Sequence, residues 1–489
     1  MAVLVAAGCV AATARQEPPA PTGGQPLQAA DEDKPTHNWP RFLGPDSLPV
    51  ADNPRLPERW STNENVEWVS DVPGVGWSSP IVWDGKVFLT SAVSDRPTKQ
   101  PSLGTDFSNE YLAELRDEGL SSEEVNARLY ERDREMPHEV VIDLVLFCFD
   151  LESGARLWER EIYHGNPPGG RHRKNSFASE TPVTDGEHVY VYVGHLGLFA
   201  FDLDGNQVWA TPLKLFQKIR DYGTGASPAL HGNRVFVLND NEEQGFIAAF
   251  DRRTGKELWR TLRDLGEGRR TGWSTPFVWE HELRTEIVTV GPRAVISYSL
   301  EGEELWRMHR MATMAIQSPF VWDGHLFVTS GSSGQQDRAI AAIRPGASGD
   351  ITPQAPEDSN EADENDYVLW YNPVAGGTYL PTPIIYDSAL YVLTSRGIFA
   401  RYDVETGERV YRSRVAPSAS AFTTTPWAYN GKIFAMGEEG DTFVIEAGRE
   451  YRLSHINDLN EWTLASPAIV GDRLLLRTQT RLYSIRNQD

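Results

Sequence analysis

The sequence predicts an all-β fold, an eight-bladed β-propeller of four-stranded antiparallel blades, and three observations carry that prediction. The first is a marker in which Ser or Thr precedes Pro and an apolar run. It occurs at Ser79-Pro80, Thr181-Pro182, Ser227-Pro228, Thr275-Pro276, Ser318-Pro319, Thr382-Pro383, Thr425-Pro426 and Ser466-Pro467. The steps between these prolines are 102, 46, 48, 43, 64, 43 and 41 residues, so two of the seven steps hold insertions. A fixed period of this size with strand-like content is a propeller signature. The second observation is an aromatic residue closing each unit: Trp158, Trp209, Trp259, Trp306, Trp370, Tyr411 and Tyr451, with Trp68 ahead of the first marker. The third is composition. Fifteen Trp, 41 Gly and 32 Pro in 489 residues favour many short strands and turns over helices.

Each unit holds four strand-like runs. In the third unit they are "SPALH", "RVFVLN", "GFIAAFD" and "KELWR". The first two runs of a unit are joined by pairs such as Asp84-Gly85, Asp185-Gly186, Asp323-Gly324 and Asn430-Gly431, which suit hairpin turns with positive φ. The last two are joined by a D-x-x-T-G loop. There the Asp251 carboxylate can bond the turn backbone, and Gly255 can take the left-handed conformation. Pro is tolerated on the innermost strand because one of its edges faces the axis without a partner. The closing tryptophans, Trp158, Trp209, Trp259 and Trp306, are expected on outer strands, filling the gaps between wedge-shaped blades.

The last unit has three runs, "SPAIV", "RLLLRT" and "RLYSI". Its fourth strand is expected from "NVEWVS", residues 65–70, which closes the ring without an open seam. One propeller domain over 36–487 follows. Two insertions interrupt it. Residues 91–138, between the second and third strands of the first unit, read as a helical hairpin, with Ser108 as one cap and Ser121-x-x-Glu124 as a capping box. Residues 345–366 form an acidic loop between the third and fourth strands of the fifth unit. Its 350–366 stretch carries seven carboxylates and no base, which reads as disordered.

Ahead of the propeller, residues 1–14 are apolar and resemble the end of a secretory signal. Two processing readings stand. Ala12-Thr13-Ala14 fits an A-x-A cleavage site, whereas Ala7-Gly8-Cys9 resembles a lipobox that would make Cys9 the lipidated residue. Both imply export to the periplasm or cell envelope, with the Pro/Gln/Gly-rich 15–35 as a disordered tether.

Several chemistries are excluded or unsupported. A net charge of −23 argues against nucleic-acid binding, which needs a basic face. The two cysteines, Cys9 and Cys148, provide neither a metal cluster nor a disulfide framework, and Cys148 reads as a small strand residue of the core. The 11 histidines show no H-x-x-x-H spacing, and no metal site is expected. There is no G-x-S-x-G elbow and no P-loop. Carboxylate pairs such as Glu242-Glu243 and Glu438-Glu439 read as ordinary loop residues.

The stretch "AFDRRTGKELW" (Ala249–Trp259), with the variants "CFDLESGARLW" and "RYDVETGERVY", resembles the A-x-D-x-x-T-G-K-x-x-W repeat of the pyrroloquinoline-quinone (PQQ) type propellers. The resemblance covers nearly the whole chain after residue 36. Opening motifs such as "NWPRFLGPDSLPV" are similar to those of exported PQQ-like repeat proteins without assigned chemistry. One branch of the family, the quinoprotein dehydrogenases, oxidises alcohols or sugars with a quinone near the axis. Another, the BamB type, consists of non-enzymatic envelope propellers. The adjacent cysteines of many alcohol-oxidising members are absent here. No motif of this chain matches the calcium-binding Glu/Asn pair or the catalytic Asp that the enzymes imply.

The expected function is therefore a non-catalytic exported scaffold, monomeric, that binds an envelope protein or polymer partner. Membrane attachment would come only through the Cys9 lipid. A PQQ- and calcium-dependent dehydrogenase is the alternative, and a carbohydrate-binding or carbohydrate-cleaving propeller is a third reading. No catalytic residue is nominated. The candidate binding face is the axis mouth. "HGNPPGGRHRKNSFASETP" brings Arg171, His172, Arg173, Lys174, Asn175 and Ser176 there, either as a solvated loop balancing nearby acids or as a contact for an anion or polar ligand. Arg269 and Arg270 approach the same face from another unit. Trp77, Trp273, Tyr379 and Trp462, just ahead of their Ser/Thr-Pro markers, either line the mouth or pack between blades.

Overall fold

In the third repeat, Ala229–His231, Arg234–Asn239, Phe246–Asp251 and Glu257–Leu262 pair in order as one antiparallel sheet. Seven further sheets repeat this meander, and together they make the eight blades of a propeller. The computed structural model describes residues 38–94, 141–353, 366–415 and 421–488, less 168, 173, 332–334 and 336, together with 115, 117–121, 124, 125 and 128. Residues 1–34 and 35–489 separate as two units, and all described residues belong to the second. Cys9 and the expected signal and tether lie outside the described residues.

The middle strands read as continuous apolar runs because both of their faces are covered. Each of seven buried clusters joins neighbouring blades rather than the two sides of one sheet. Val235 and Phe250 of blade 3, for example, pack with Tyr190 and Leu198 of blade 2, while Phe236 and Ala249 pack with Ile287 and Ile296 of blade 4. The ring closes as expected. Val66–Asp71 pairs antiparallel with Arg481–Ile485 as the outer strand of blade 8.

The repeat motif is a latch between consecutive blades. Asp251 Oδ1 accepts from the Arg253 and Thr254 amides at 3.1 and 2.9 Å, which shapes the turn. Gly255 then sits at φ +70°, and a Cβ there would lie 2.4 Å from Trp209 of the preceding blade. Glycine is thus required twice, for its dihedral and for the indole that lies on it. Trp209 Nε1 donates to Arg252 O in the same turn at 2.9 Å. Trp68, Trp158, Trp259 and Trp370 make the same bond to Leu151, Leu203, Leu300 and Val404. Trp306 is the exception. Blade 5 has the acidic insertion in place of the short turn, and Trp306 Nε1 donates instead to the buried Glu286 at 2.7 Å.

The Ser/Thr-Pro marker carries a second linkage. The amides of Ser79, Thr181, Ser227, Ser318, Thr382 and Thr425 each donate to the marker hydroxyl of the next blade, at 2.9 to 3.3 Å. This belt of bonds encircles the axis and has two gaps. The hydroxyls of Ser79 and Ser318, which would receive the missing bonds, are buried and unpartnered.

Four expectations are revised. Asp84-Gly85, Asp323-Gly324 and Asn430-Gly431 take positive φ at both positions, but Asp185 does not. Its carboxylate instead accepts from the Glu187 and His188 amides at 2.9 and 2.8 Å, which makes a longer turn. Tyr451 lies just before its outer strand, Leu453–Asp458, rather than within it. The first insertion begins later than residue 91, because Lys86–Ser94 pairs with Ile142–Asp150 along its whole length. Finally, Gly349–Asp350 of the acidic insertion is ordered. It pairs in parallel with Trp306–Arg307 as a fifth strand on blade 4. Residues 354–365 of that insertion lie outside the described residues. Most of the expected helical hairpin lies outside them too, although its capping box is formed: the Ser121 amide donates to Glu124 Oε2 at 2.8 Å and the Glu124 amide to Ser121 Oγ at 3.3 Å.

The inner strands are not all open toward the axis. Trp39 exchanges two backbone bonds of 2.8 Å with Val82 of blade 1, and Pro40 O accepts from Thr184 of blade 2 at 2.9 Å. Leu48 packs into the clusters of blades 5 to 7. The Ala51 amide donates to Ala428 O of blade 7 at 2.9 Å. The "NWPRFLGPDSLPV" segment therefore runs inside the ring and pairs with inner-strand edges that the repeat leaves free. Its ends bond the first-to-second-strand turns, through Asn38 to Asp84 and Asp52 to Asn430, so it fills the face that carries those turns.

Candidate functional site at the axial mouth

Antiparallel alternation places the segments leading into the inner strands on the opposite face. The lead-in of blade 2, residues 166–182, contains the basic run. Asn175 organises it. Its Nδ2 donates to Tyr222 O at 3.1 Å and Thr224 O at 2.8 Å on blade 3, and its Oδ1 accepts from the Ser176 amide at 2.9 Å and Ser179 Oγ at 2.6 Å. Arg171 is half-buried, donates to Asn175 O at 2.7 Å and lies over the Phe177 ring. Burial lowers its pKa to about 10. His172 meets the Tyr222 ring edge-on, and Ser176 is buried. Lys174 Nζ reaches Glu438 of blade 7 at 2.7 Å, and Thr423 Oγ1 donates to the other oxygen of that carboxylate at 2.6 Å. Arg173 lies outside the described residues. The loop thus stretches from blade 2 to blade 7 over the mouth. Among the described residues of the loop, Arg171, Lys174 and Asn175 are hydrogen-bonded within the protein, and the Lys174 charge is balanced by Glu438.

Beneath the loop lies a cluster of buried polar groups that sequence reasoning missed. Glu180 accepts from the Gly194 amide at 3.1 Å, and burial raises its pKa. His195 faces Thr224 Oγ1 at 3.4 Å, and burial, with the nearby Lys218, lowers it to about 4, which leaves the imidazole neutral. Lys218 Nζ donates to Asn239 Oδ1 at 3.0 Å and Asp240 O at 2.5 Å, and burial lowers it to about 8. Asp240 pairs with Arg263 at 2.7 Å, both without solvent contact, and Arg263 Nη1 also donates to Tyr298 Oη at 3.1 Å. Burial pushes the Asp240 carboxyl up against the pull of Arg263 and Lys218. One signal was available in the sequence: the polar run Asn239–Gln244 directly follows the apolar "RVFVL" strand.

The remaining candidates divide between packing and surface. Trp77 is buried, and its amide donates to Ala178 O of the loop at 2.9 Å. Trp273 bridges three blades, with Nε1 to Gly223 O at 2.9 Å and its amide to Ala315 O at 2.7 Å. Trp462 is half-buried and its carbonyl accepts from the Gln479 amide at 2.7 Å. Tyr379 is half-buried at φ +73°, with its amide on Gly331 O at 2.9 Å. Arg269 is exposed. The Arg270 amide bonds Glu242 Oε1 at 3.2 Å, and its Nε bonds Gly266 O at 3.2 Å. Glu242 and Glu438 are therefore structural anchors of the mouth and not idle loop acids: Glu242 Oε1 also accepts from the amide and hydroxyl of Thr271 at 3.1 and 2.6 Å.

Away from the mouth, two groups among the described residues have metal-ligating composition. Asp143, Glu161 and His164 lie on the outer hairpin of blade 1, and Asp185, Glu187 and His188 on blade 2, where Asp185 is already paired with Arg252. Cys148 is buried and its thiol is pushed up to about 12 by burial, with Lys86, Asp150 and Asp204 acting on it at longer range. No helix among the described residues is long and apolar enough to cross a membrane.

Comparisons with known proteins agree with this architecture. The family described as outer membrane protein assembly factor BamB, of PQQ-like repeats, matches residues 143–278 and 243–352. Quinohemoprotein alcohol dehydrogenase ADH-IIG of Pseudomonas putida is 30% identical over 125 residues, 24% of this chain and 16% of that enzyme. The match thus spans about a sixth of that relative's length. Among solved structures, quinohemoprotein alcohol dehydrogenase from Comamonas testosteroni superposes with a TM-score of 0.57 at 12% identity, covering 93% of this chain and 81% of that one. BamB from Moraxella catarrhalis superposes with a TM-score of 0.50 at 12% identity, covering 71% and 94%. At such identity these superpositions show the fold alone.

Proposed function

Starting from a chain that is a PQQ-like repeat β-propeller, we propose that it is a non-catalytic binding propeller of the cell envelope, whose mouth face docks a protein or polymer partner. The observation that carries this reading is the loop fixed across the axis by the Lys174–Glu438 pair at 2.7 Å. A mouth closed by internal bonds is a surface to bind against more than a passage to bind within. The residues that surround it are exposed and varied: Leu215, Arg220 and Asp221 on the blade 3 lead-in, and Arg269 on that of blade 4. Arg220 and Asp221 both hold left-handed φ, 52° and 57°, and the Asp221 carboxylate accepts from the Gly170 amide at 2.8 Å. Strain of this kind persists where surrounding structure over-determines it, and it gathers at recognition loops.

A quinone-dependent dehydrogenase is the second reading. It is favoured by the buried cluster, where Lys218 is lowered to about 8 and Glu180 is raised, since shifted pKa values gather at working sites. Against it stands the engagement of the mouth's charged groups within the protein. Arg171 and Lys174 are committed to Asn175 and Glu438, and Asp240 to Arg263.

The test pairs two measurements. Cross-linking in the native envelope should recover one specific partner, and the Arg220→Glu, Arg269→Glu double variant should lower its recovery several-fold at unchanged melting temperature. Titration with the quinone plus calcium, followed by dye-coupled oxidation of alcohols and sugars, should show no saturable turnover. Unchanged recovery in the double variant, or turnover, overturns the reading.

A further inference from the structure

Arg477 ends the second strand of blade 8, Arg473–Arg477, and is wholly buried. Its Nη1 donates to Ser78 O at 2.9 Å and Ser78 Oγ at 2.7 Å, in the lead-in of blade 1. Its Nε and Nη2 are buried and have no partner among the described residues. Two other buried cations have carboxylates, Arg263 with Asp240 and Arg473 with Glu67 and Glu152, and buried Lys218 spends its ammonium on Asn239 Oδ1 and Asp240 O, whereas Arg477 leaves two nitrogens without a partner among the described residues. For Arg477 burial is the one influence that moves the pKa, down to about 9. A buried guanidinium without a counter-charge is among the least favourable states a side chain can occupy, so a compensating group is expected at its free edge.

The geometry of that edge defines the group. Nε and Nη2 form the side edge of the planar guanidinium, whose two parallel N–H donors match two oxygens of one oxyanion. Gly76 gives the edge its place, since a Cβ there would lie 2.5 Å from Nη2. The φ of Gly76 is not left-handed, so glycine is needed here for space. One further buried donor nearby in sequence, Trp77 Nε1, has no partner among the described residues.

We propose that Arg477 holds a small planar oxyanion of carboxylate shape in the seam between blades 8 and 1, bound side-on through Nε and Nη2. The anion completes the polar contacts that the protein leaves open and ties the second strand of blade 8 to the lead-in of blade 1. This inference does not depend on what docks at the mouth.

Sodium formate is the probe. A crystal of the whole protein soaked in formate should show a planar triatomic density with both oxygens within hydrogen-bonding distance of Nε and Nη2. Water or empty density along that edge overturns the proposal. In solution, formate should raise the melting temperature by a few degrees over sodium chloride at equal ionic strength, as a ligand that binds only the folded state does. Arg477→Met should abolish that difference, and an equal difference in wild type and variant overturns the proposal. Should Arg477→Met fail to fold, the wild-type crystal still decides.

Discussion

Replacing Lys174 by Met asks whether the loop over the mouth is held by its long-range ion pair. The pair spans 264 positions in sequence and joins blades 2 and 7. Breaking a fully buried pair by removing one partner costs about 3–5 kcal/mol, whereas exposed pairs are worth about 0–1 kcal/mol. Here the Lys174 side chain is 18% exposed and that of Glu438 1%, and Glu438 keeps its bond from Thr423 Oγ1. An intermediate cost of about 1–3 kcal/mol follows, a factor of about 5 to 150 in the opening equilibrium. The readout is amide hydrogen exchange at His172 and Asn175, whose amides bond Tyr222 O and His172 O at 3.0 and 2.7 Å. Both should exchange faster by that factor, while the Val235 amide in the heart of blade 3 should not change.

The two partners should not be equivalent. Lys174→Met strands a carboxylate that has almost no solvent contact. Glu438→Gln leaves an ammonium that can turn to water, and a Gln that still accepts from Thr423. Glu438→Gln should therefore accelerate exchange less than Lys174→Met, and the double variant should lie closer to wild type than Lys174→Met alone. Exchange at His172 and Asn175 that stays within about twofold of wild type in Lys174→Met would refute the tie, since independent effects add only to within about 0.3–0.5 kcal/mol. A larger effect from Glu438→Gln would refute the burial argument.

Three further outcomes are expected. Gly255→Ala should cost about 2–4 kcal/mol in urea unfolding, because it adds a clash with Trp209 at 2.4 Å to the left-handed φ, whereas Gly324→Ala, at nearly the same φ with open space around it, should cost only the conformational part, about 1–2 kcal/mol. Equal costs would remove the indole from the account. Ser227→Ala strands the Thr181 amide and should cost about 1–3 kcal/mol, while Ser79→Ala, which removes a hydroxyl without a partner, should fall within about 0.5 kcal/mol of wild type by the same measurement. For Lys218 the folded pKa of about 8 lies below the ordinary 10.5, so between these values the unfolded chain binds more protons and stability rises with pH. Unfolding free energies should therefore gain about 1.5 kcal/mol from pH 8 to 9.5 in wild type relative to Lys218→Met; a constant difference would place Lys218 outside the buried cluster.

What could be read from the sequence was whatever repeats. Strand alternation, D-x-x-T-G turns and the period of the Ser/Thr-Pro marker each occur several times, so chance matches cancel. That sufficed for eight blades and for Val66–Asp71 closing the ring. The partners of those markers were hidden because they lie one repeat away. Trp209 reads as a wedge until Gly255 and Arg252 O are placed under it. The marker hydroxyls read as punctuation until six of the eight are seen to accept from the neighbouring blade. The site was less legible still. Lys174 and Glu438, or Lys218 and Glu180, share no local pattern, and their burial depends on loops that do not repeat.

The same contrast says where activity in such a chain must be sought. A ring of identical units leaves a hole, a set of free inner-strand edges and eight similar loop ends. The repeat itself does not fill the hole: six of its eight marker hydroxyls are engaged between blades. What fills it must come from outside the repeat, and here it does: residues 38–51 pair with inner edges of blades 1, 2 and 7 on one face, and the 166–182 loop crosses to Glu438 on the other. The A-x-D-x-x-T-G motif is thus accounted for by its turn bonds and by the indole that lies on its glycine. Two propellers with equal repeats and different plugs are free to differ in function entirely, which is why the tests above are aimed at the mouth loop and the groups beneath it and not at the repeat.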